Sequence, residues 1–147
     1  MEMVLFSGIQ AVGKSTFFKE RFVDTHLRIN LDMLRTRHRE RLLIGACLQA
    51  KQPLVVENTN LLAADRAGYI ASARAAGFRV VGYRFQIVQA EAIARNAARP
   101  RRQPIPDKAL YSAHKHWQPP TWAEGFDALF DVWGADGAFT IREASHA

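Results

Sequence analysis

The sequence predicts an α/β fold built on a parallel sheet. Short apolar runs alternate with segments of helical character along the 147 residues, and this alternation is typical of βαβ units. A glycine-containing loop lies directly between the first apolar run and the first helical segment. We expect a single domain over residues 1–147, because a chain of this length can bury one core and is too short for two.

Five short apolar runs predict the strands of the sheet. Each is bounded by segments of helical or turn character, which is the pattern expected of strands joined by helices. The predicted strands are Met3–Ser7, Leu27–Asn30, Leu54–Asn58, Arg79–Phe85 and Ala128–Trp133.

The segments between these strands predict five helices. Proline or glycine follows most of them, and both residues commonly end helices. Gly77 in particular is well placed to cap the third helix. The helices are expected from the glycine-containing loop to a point before Thr25, from about Leu31 to Ala50, from about Ala63 to Ala76, from Gln89 to Arg99 and from Asp107 to about Trp117.

Two further stretches have loop composition. The basic segment Arg99–Pro106 contains three prolines, and between two helices of a phosphate-binding domain it predicts a small lid. The tail beyond Trp133 contains Asp136 and Gly137. Because Asp-Gly favours tight turns, we expect the tail to turn back as a hairpin.

Composition indicates a soluble globular protein of the cytoplasm. Hydrophobic residues make up 48% and charged residues 23% of the chain, as in ordinary globular domains. No apolar stretch approaches ~20 residues, so we expect no membrane span, and the N-terminus lacks the basic leader of a signal peptide. The single cysteine, Cys47, cannot form an internal disulfide and is expected to be a buried core residue. These data predict no particular oligomeric state.

Basic residues outnumber acidic ones, which gives a net charge of +6 and a pI near 10. Nucleotide sites are themselves basic, so this excess alone is weak evidence for a polyanionic partner. Two arginine clusters suggest two phosphate-handling surfaces, and the alternative is a pair of solvated helical faces. The clusters are Arg35, Arg37, Arg39 and Arg41, and Arg95, Arg99, Arg101 and Arg102.

The glycine-containing loop reads G-x-x-x-x-G-K-S, the pattern of phosphate-binding loops. In such loops, backbone N–H groups and the start of the next helix face an anion. Lys14 would reach the β- and γ-phosphates, and the Ser15 hydroxyl would ligate Mg²⁺. The sequence therefore predicts a site for ATP and Mg²⁺. The predicted site comprises Gly8, Ile9, Gln10, Ala11, Val12, Gly13, Lys14 and Ser15, with Thr16 following.

Acidic residues follow two of the other strands. Asp32 comes after the second strand and could accept a proton from an attacking hydroxyl, with Arg35 three residues on to hold an acceptor's phosphate. The alternative is that Asp32 is a helix N-cap and Arg35 a surface charge. Glu57 ends the third strand, where a carboxylate commonly holds Mg²⁺ directly or through water. Asn58 and its neighbours are polar too, and they could simply cap the next helix.

The fourth predicted helix carries Arg95 and Arg99 four residues apart. Residues at this spacing share a helix face, so both would project toward the lid. A guanidinium there could stabilise the charge that develops during phosphoryl transfer. His114 and His116 lie two apart and therefore do not share a helix face, so a surface or packing role is expected for them rather than metal binding.

Together these residues resemble the polynucleotide 5′-hydroxyl kinases, the kinase module of nucleic-acid end-healing enzymes. The resemblance extends from Met3 to about Val132 and is most specific in three places. These are the Asp32/Arg35 pair, the strand end Val55-Val56-Glu57-Asn58-Thr59-Asn60, and the segment Pro120-Thr121-Trp122-Ala123-Glu124-Gly125-Phe126.

The resemblance implies a P-loop kinase fold, with a five-stranded parallel sheet between helices on both faces and a lid over about residues 99–106. It implies that Lys14 and Ser15 bind ATP and Mg²⁺, that Asp32 is the general base, and that Arg35 grips the acceptor. Arg99 would stabilise the transferring phosphoryl group. Two departures stand out: this chain has Glu57 where the family usually has Asp, and Ala11 where many relatives have glycine.

The leading hypothesis is therefore an ATP- and Mg²⁺-dependent kinase of the 5′-hydroxyl end of single-stranded RNA or DNA. One alternative keeps the reaction and replaces the acceptor by a small-molecule hydroxyl. Another is a non-catalytic ATP-binding regulatory protein.

Overall fold

A computed structural model of the chain describes residues 1–10, 12–86, 97–98, 106–135 and 138–146. Its strands are β1 Glu2–Ser7, β2 Leu27–Ile29, β3 Leu54–Glu57, β4 Arg79–Gln86, β5 Ala128–Ala135 and β6 Ala138–Glu143. Its helices are α1 Lys14–Arg21, α2 Leu31–Leu34, α3 Arg37–Ala50, α4 Ala63–Ala75 and α5 Asp107–His116, with a 3₁₀ turn at Trp122–Glu124.

The strands form one sheet in the order β2-β3-β1-β4-β5-β6. The first five strands pair in parallel, and β6 pairs antiparallel with β5. The predicted fold class is confirmed, but the predicted number of five strands is wrong. The sixth strand is the second arm of the predicted hairpin, and a short connection allows only an antiparallel neighbour.

Helices cover both faces of the sheet because both faces are apolar. Successive side chains of a strand point to opposite sides. On β1, Met3 and Leu5 belong to a core cluster with residues of α3 and α4. Val4 and Phe6 belong to a second cluster with residues of α1 and α5. Two hydrophobic cores therefore hold a three-layer α/β/α arrangement around buried parallel strands.

The helix predicted from about Leu31 to Ala50 is interrupted after its first turn. Arg35 ends α2 with a φ of 76°, which breaks the run of helical dihedrals. Thr36 then caps a new helix, since its Oγ1 accepts a hydrogen bond from the Arg39 backbone N–H at 3.1 Å. The prediction of one continuous helix is therefore wrong. Asp32 lies in a helix of one turn that ends at Arg35, and α3 is a separate helix.

The remaining helices agree with prediction where the structure describes them. Gly77 follows α4 with a φ of 77°, and its N–H donates to the Arg74 carbonyl at 3.0 Å, as expected of a C-terminal cap. The predicted helix Gln89–Arg99 and the predicted lid lie outside the described residues, apart from 97–98 and 106. Within the described part of the chain, no helix has the length and apolar character needed to cross a membrane.

Candidate nucleotide-binding site

The predicted phosphate loop joins β1 to α1. An added Cβ at Gly8 would lie 2.9 Å from Phe85 Cβ, so only glycine allows this close approach to β4. The Gly8 N–H also donates to the Thr59 carbonyl at 2.9 Å, which ties the loop to the chain leaving β3. Gly13 has a φ of 91° directly before α1, a conformation that L-residues with a Cβ rarely adopt. Steric constraints therefore require glycine at both positions of the motif.

The Lys14 side chain lies back across this loop. Its Nζ donates to the Gly8 carbonyl at 2.6 Å and to the Ile9 carbonyl at 2.8 Å. Ile9 and Val12 are buried in the core that packs on α1 and anchor the loop on the sheet. The Gln10 Oε1 atom is buried without a hydrogen-bond partner among the described residues, which suits a loop built to receive a polar ligand.

Ser15 and Glu57 meet at the carboxyl ends of β1 and β3. The Ser15 Oγ donates to Glu57 Oε1 at 2.7 Å, and the Glu57 side chain is only 2% exposed. Asn30 Nδ2 donates to Glu57 Oε2 at 3.0 Å and to the Glu57 carbonyl at 2.8 Å. The Glu57 carboxylate therefore accepts hydrogen bonds from Ser15 on α1 and from Asn30, which follows β2.

Arg28 on β2 completes this cluster. Its Nε donates to Glu57 Oε2 at 2.7 Å, and its Nη2 lies 2.6 Å from the same oxygen. The same Nη2 donates to Ser15 Oγ at 3.2 Å. Sequence reasoning missed Arg28. The available signal was a charged residue next to Ile29 in a predicted strand of the sheet, because a charge that is partly buried in a sheet requires a partner.

Strand order explains why these side chains converge. β2, β3 and β1 are neighbours in the sheet, with Ile29 opposite Val56 and Phe6 opposite Glu57. Parallel strands present their carboxyl ends at one edge, which is where α/β sheets bind ligands.

Asp32 is exposed in the first turn of α2. The N-cap of this turn is Asn30, whose side chain accepts a hydrogen bond from the Met33 N–H at 2.9 Å. The interpretation of Asp32 as N-cap is therefore wrong, while its role as a base stays a prediction. Arg35 is exposed at the end of the turn. Since Asn30 contacts Glu57, the turn that carries Asp32 starts at the edge of the Ser15–Glu57 cluster.

A buried glutamate helps to place this turn. Glu40 of α3 is buried and accepts hydrogen bonds from Tyr69 (2.6 Å), Arg37 (3.0 Å) and Asn58 Nδ2 (3.0 Å). With its Nδ2 engaged in this way, Asn58 presents Oδ1 to the Leu31 N–H at 2.9 Å. Burial is the main cause that raises the pKa of Tyr69 to about 12, and the hydrogen bond to Glu40 is the second. Asn58 is thus a link between β3 and α2 rather than a cap of α4.

A second buried network supports the start of the loop. Arg66 of α4 is fully buried and binds both carboxylate oxygens of Glu124, at 2.8 and 3.0 Å. Its Nη1 donates to the Asn60 carbonyl at 2.7 Å, which also accepts from Ser7 Oγ at 2.8 Å. Trp117 Nε1 donates to the same Ser7 Oγ at 3.0 Å. Ser7 immediately precedes Gly8, so this network braces the strand that delivers the loop.

The remaining predicted residues divide into those that the structure describes and those that it does not. Ala11, Arg95 and Arg99 are outside the described residues. His114 is exposed, and in the described ranges no group of three or more histidine, cysteine or acidic residues is gathered to bind a metal ion. Cys47 is buried in the core as predicted, and burial raises the pKa of its thiol.

Comparison with known proteins places this site in a family. The sequence model of the AAA domain family AAA_33 matches residues 3–120. The chain belongs to this family.

Solved structures show the same fold. A gluconokinase from Sinorhizobium meliloti 1021 has 17% sequence identity and a TM-score of 0.64, over 92% of this chain and 83% of that one. Kti12 from Chaetomium thermophilum in complex with ADP-AlF3 has 14% identity and a TM-score of 0.68, over 91% and 90%. The AAA_33 domain of this chain therefore has the P-loop kinase-like fold. Neither structure is a polynucleotide kinase, so the narrower resemblance stays a proposal.

Proposed function

We propose that this AAA_33 domain is a phosphotransferase that moves the γ-phosphate of ATP to a hydroxyl group. The observation that carries the proposal is the convergence of Lys14, Ser15 and Glu57 at one edge of the sheet, with Asp32 on the adjoining turn. A phosphate-binding loop, an acid at the neighbouring strand end and a further exposed carboxylate are the parts that phosphoryl transfer needs.

The site fits ATP together with Mg²⁺. The Ser15 hydroxyl and the Glu57 carboxylate, 2.7 Å apart, are the hard oxygen donors that Mg²⁺ prefers. Glutamate in place of aspartate keeps this chemistry. When bound, the ion neutralises charge that develops on the β- and γ-phosphates.

In the proposed reaction, Asp32 accepts the proton of the attacking hydroxyl. Its exposure leaves the carboxylate accessible to an acceptor, and general-base catalysis typically contributes ~10²–10⁴ in rate. Arg35 would hold the acceptor, while Arg95 and Arg99 would bind the donor phosphates, with Arg99 stabilising the transferring group.

The acceptor we favour is a small molecule bearing a hydroxyl group. The similarity to a gluconokinase supports this class, and the comparisons favour it over a nucleic-acid end. The similarity to Kti12 with ADP-AlF3 equally supports a nucleotide-binding regulatory function, which is the outcome expected if no acceptor is phosphorylated.

A 5′-hydroxyl nucleic-acid end is the second candidate, because several exposed arginines follow Asp32 in the chain. All four are exposed: Arg35, which follows α2, and Arg37, Arg39 and Arg41 of α3. Arg37 already donates to Glu40 and Tyr69, so part of its charge is used within the fold. Contacts of such arginines with phosphates would make acceptor binding weaken steeply with salt.

An acceptor screen with labelled ATP tests the proposal. The protein is incubated with γ-labelled ATP and Mg²⁺ at low salt, together with sugars, nucleosides or single-stranded RNA and DNA oligonucleotides with 5′-hydroxyl ends. Label is expected in one acceptor class. Binding of ATP without transfer to any of them would contradict the phosphotransferase proposal and favour the regulatory function.

Asp32→Asn provides the matched test of mechanism. It should lower kcat by at least ~10²-fold while ADP affinity stays nearly unchanged. The control is Asp24→Asn, since Asp24 is an exposed acid in the segment just before β2, at the opposite edge of the sheet. Full turnover by Asp32→Asn would show that another group acts as the base.

A further inference from the structure

The Ser15–Glu57 pair already has a cation, the guanidinium of Arg28. Arg28 contacts Glu57 Oε2 through both Nε (2.7 Å) and Nη2 (2.6 Å), and Nη2 also donates to Ser15 Oγ (3.2 Å). One positive charge therefore touches both groups that would hold Mg²⁺ under the proposed function.

The two partners differ in how easily they can move. The Glu57 side chain is 2% exposed and has hydrogen bonds from Asn30 and Ser15 as well. A carboxylate in such a position is costly without a compensating cation. The Arg28 side chain is 25% exposed, and its guanidinium lies over the Phe18 ring at 6.0 Å. The Arg28 guanidinium therefore has a route to solvent, whereas the Glu57 carboxylate is enclosed.

We propose that Arg28 is a built-in counter-cation that competes with the divalent metal for Glu57. It neutralises the buried carboxylate when no metal is bound, and it is displaced from the Ser15–Glu57 pair when metal and nucleotide bind. Two cations beside one carboxylate repel each other, so the arginine lowers metal affinity until nucleotide phosphates add negative charge. This inference rests on the proposed function of the same site.

Metal binding to Arg28 variants tests this competition. The dissociation constant of Mn²⁺ is measured from the EPR signal of the free ion, with and without saturating ADP. Arg28→Met should bind Mn²⁺ about tenfold more tightly than wild type, equivalent to ~1.4 kcal/mol. The gain should be largest without ADP. Arg28→Lys, which retains the charge, should stay close to wild type.

Arg84→Met is the matched control. Arg84 binds Asp131 through Nε at 2.6 Å and Nη2 at 2.7 Å, a similar half-buried pair on β4 and β5, which lie on the other side of β1 from the strand of Glu57. Its loss should leave Mn²⁺ affinity unchanged. If Arg28→Met fails to fold without metal, Arg28→Gln, which keeps a hydrogen-bond donor for Glu57, carries the same measurement.

The possible results separate the inference from the function on which it rests. Unchanged or weaker Mn²⁺ binding by the neutral Arg28 variants, with ADP binding intact, would overturn the competition alone. A wild-type protein that binds neither ADP nor Mn²⁺ would contradict the proposed function and this inference together.

Discussion

Replacing Arg66 by methionine is expected to destabilise the fold strongly. The arginine is fully buried, so methionine can fill part of its volume but cannot replace its donors. The substitution removes two hydrogen bonds to Glu124, one to the Asn60 carbonyl and a longer one, of 3.4 Å, to Ser7 Oγ. Glu124 is then left as a carboxylate with 15% side-chain exposure and no cation in the network described above.

The expected magnitude follows from this geometry. Removing one partner of a buried ion pair costs ~3–5 kcal/mol. The lower part of this range applies, because Glu124 is slightly exposed and still accepts a hydrogen bond from the Thr121 N–H at 2.8 Å. We therefore expect a loss of ~3–4 kcal/mol from a total stability of ~5–15 kcal/mol. For a domain of this size the melting temperature should fall by ~6–16 °C.

Urea unfolding followed by circular dichroism measures this loss. A double-mutant cycle with Glu124→Gln isolates the energy of the pair. Arg79→Met is the control, because Arg79 is exposed and lies 3.8 Å from Glu2, an arrangement worth at most ~1 kcal/mol. A destabilisation by Arg66→Met no larger than that of the control would refute the idea that this network holds the fold.

Three further predictions concern the loop and its surroundings. Lys14→Met should lose both ADP binding, measured by calorimetry, and turnover, because the loop loses the ammonium group that would contact the phosphates. Tight ADP binding by this variant would contradict a role of Lys14 in phosphate binding. Gly8→Ala should destabilise by ~1–3 kcal/mol through overpacking against Phe85, and an unchanged melting temperature would show that the loop can shift. Because Tyr69 has a raised pKa of about 12, the folded state retains a proton that the unfolded chain releases near pH 10. Stability should therefore be unaffected by this group below pH 10 and fall between pH 10 and 12. Comparison of urea midpoints with Tyr69→Phe, which should lack this part of the decline, checks the assignment.

The sequence alone determined the succession of the first five strands along the chain and the position of the phosphate loop. These features depend on local patterns, namely apolar runs and a glycine motif. Steric constraints require the glycines of this motif at Gly8 and Gly13. The hairpin in the tail was also predictable from Asp136-Gly137, although its second arm was not counted as a strand of the sheet. Such signals lie within a few residues of one another, so they can be read without knowing the fold.

Only the tertiary structure decided how the site is assembled. The break at Arg35 accompanies contacts distant in sequence, including the bond from the Leu31 N–H to Asn58. Arg28 reaches Glu57 only because β2 lies beside β3 in the sheet. A charged residue in a strand indicates that a partner is needed. Which residue is the partner depends on the order of the strands in the sheet and on the packing of residues that are far apart in the chain.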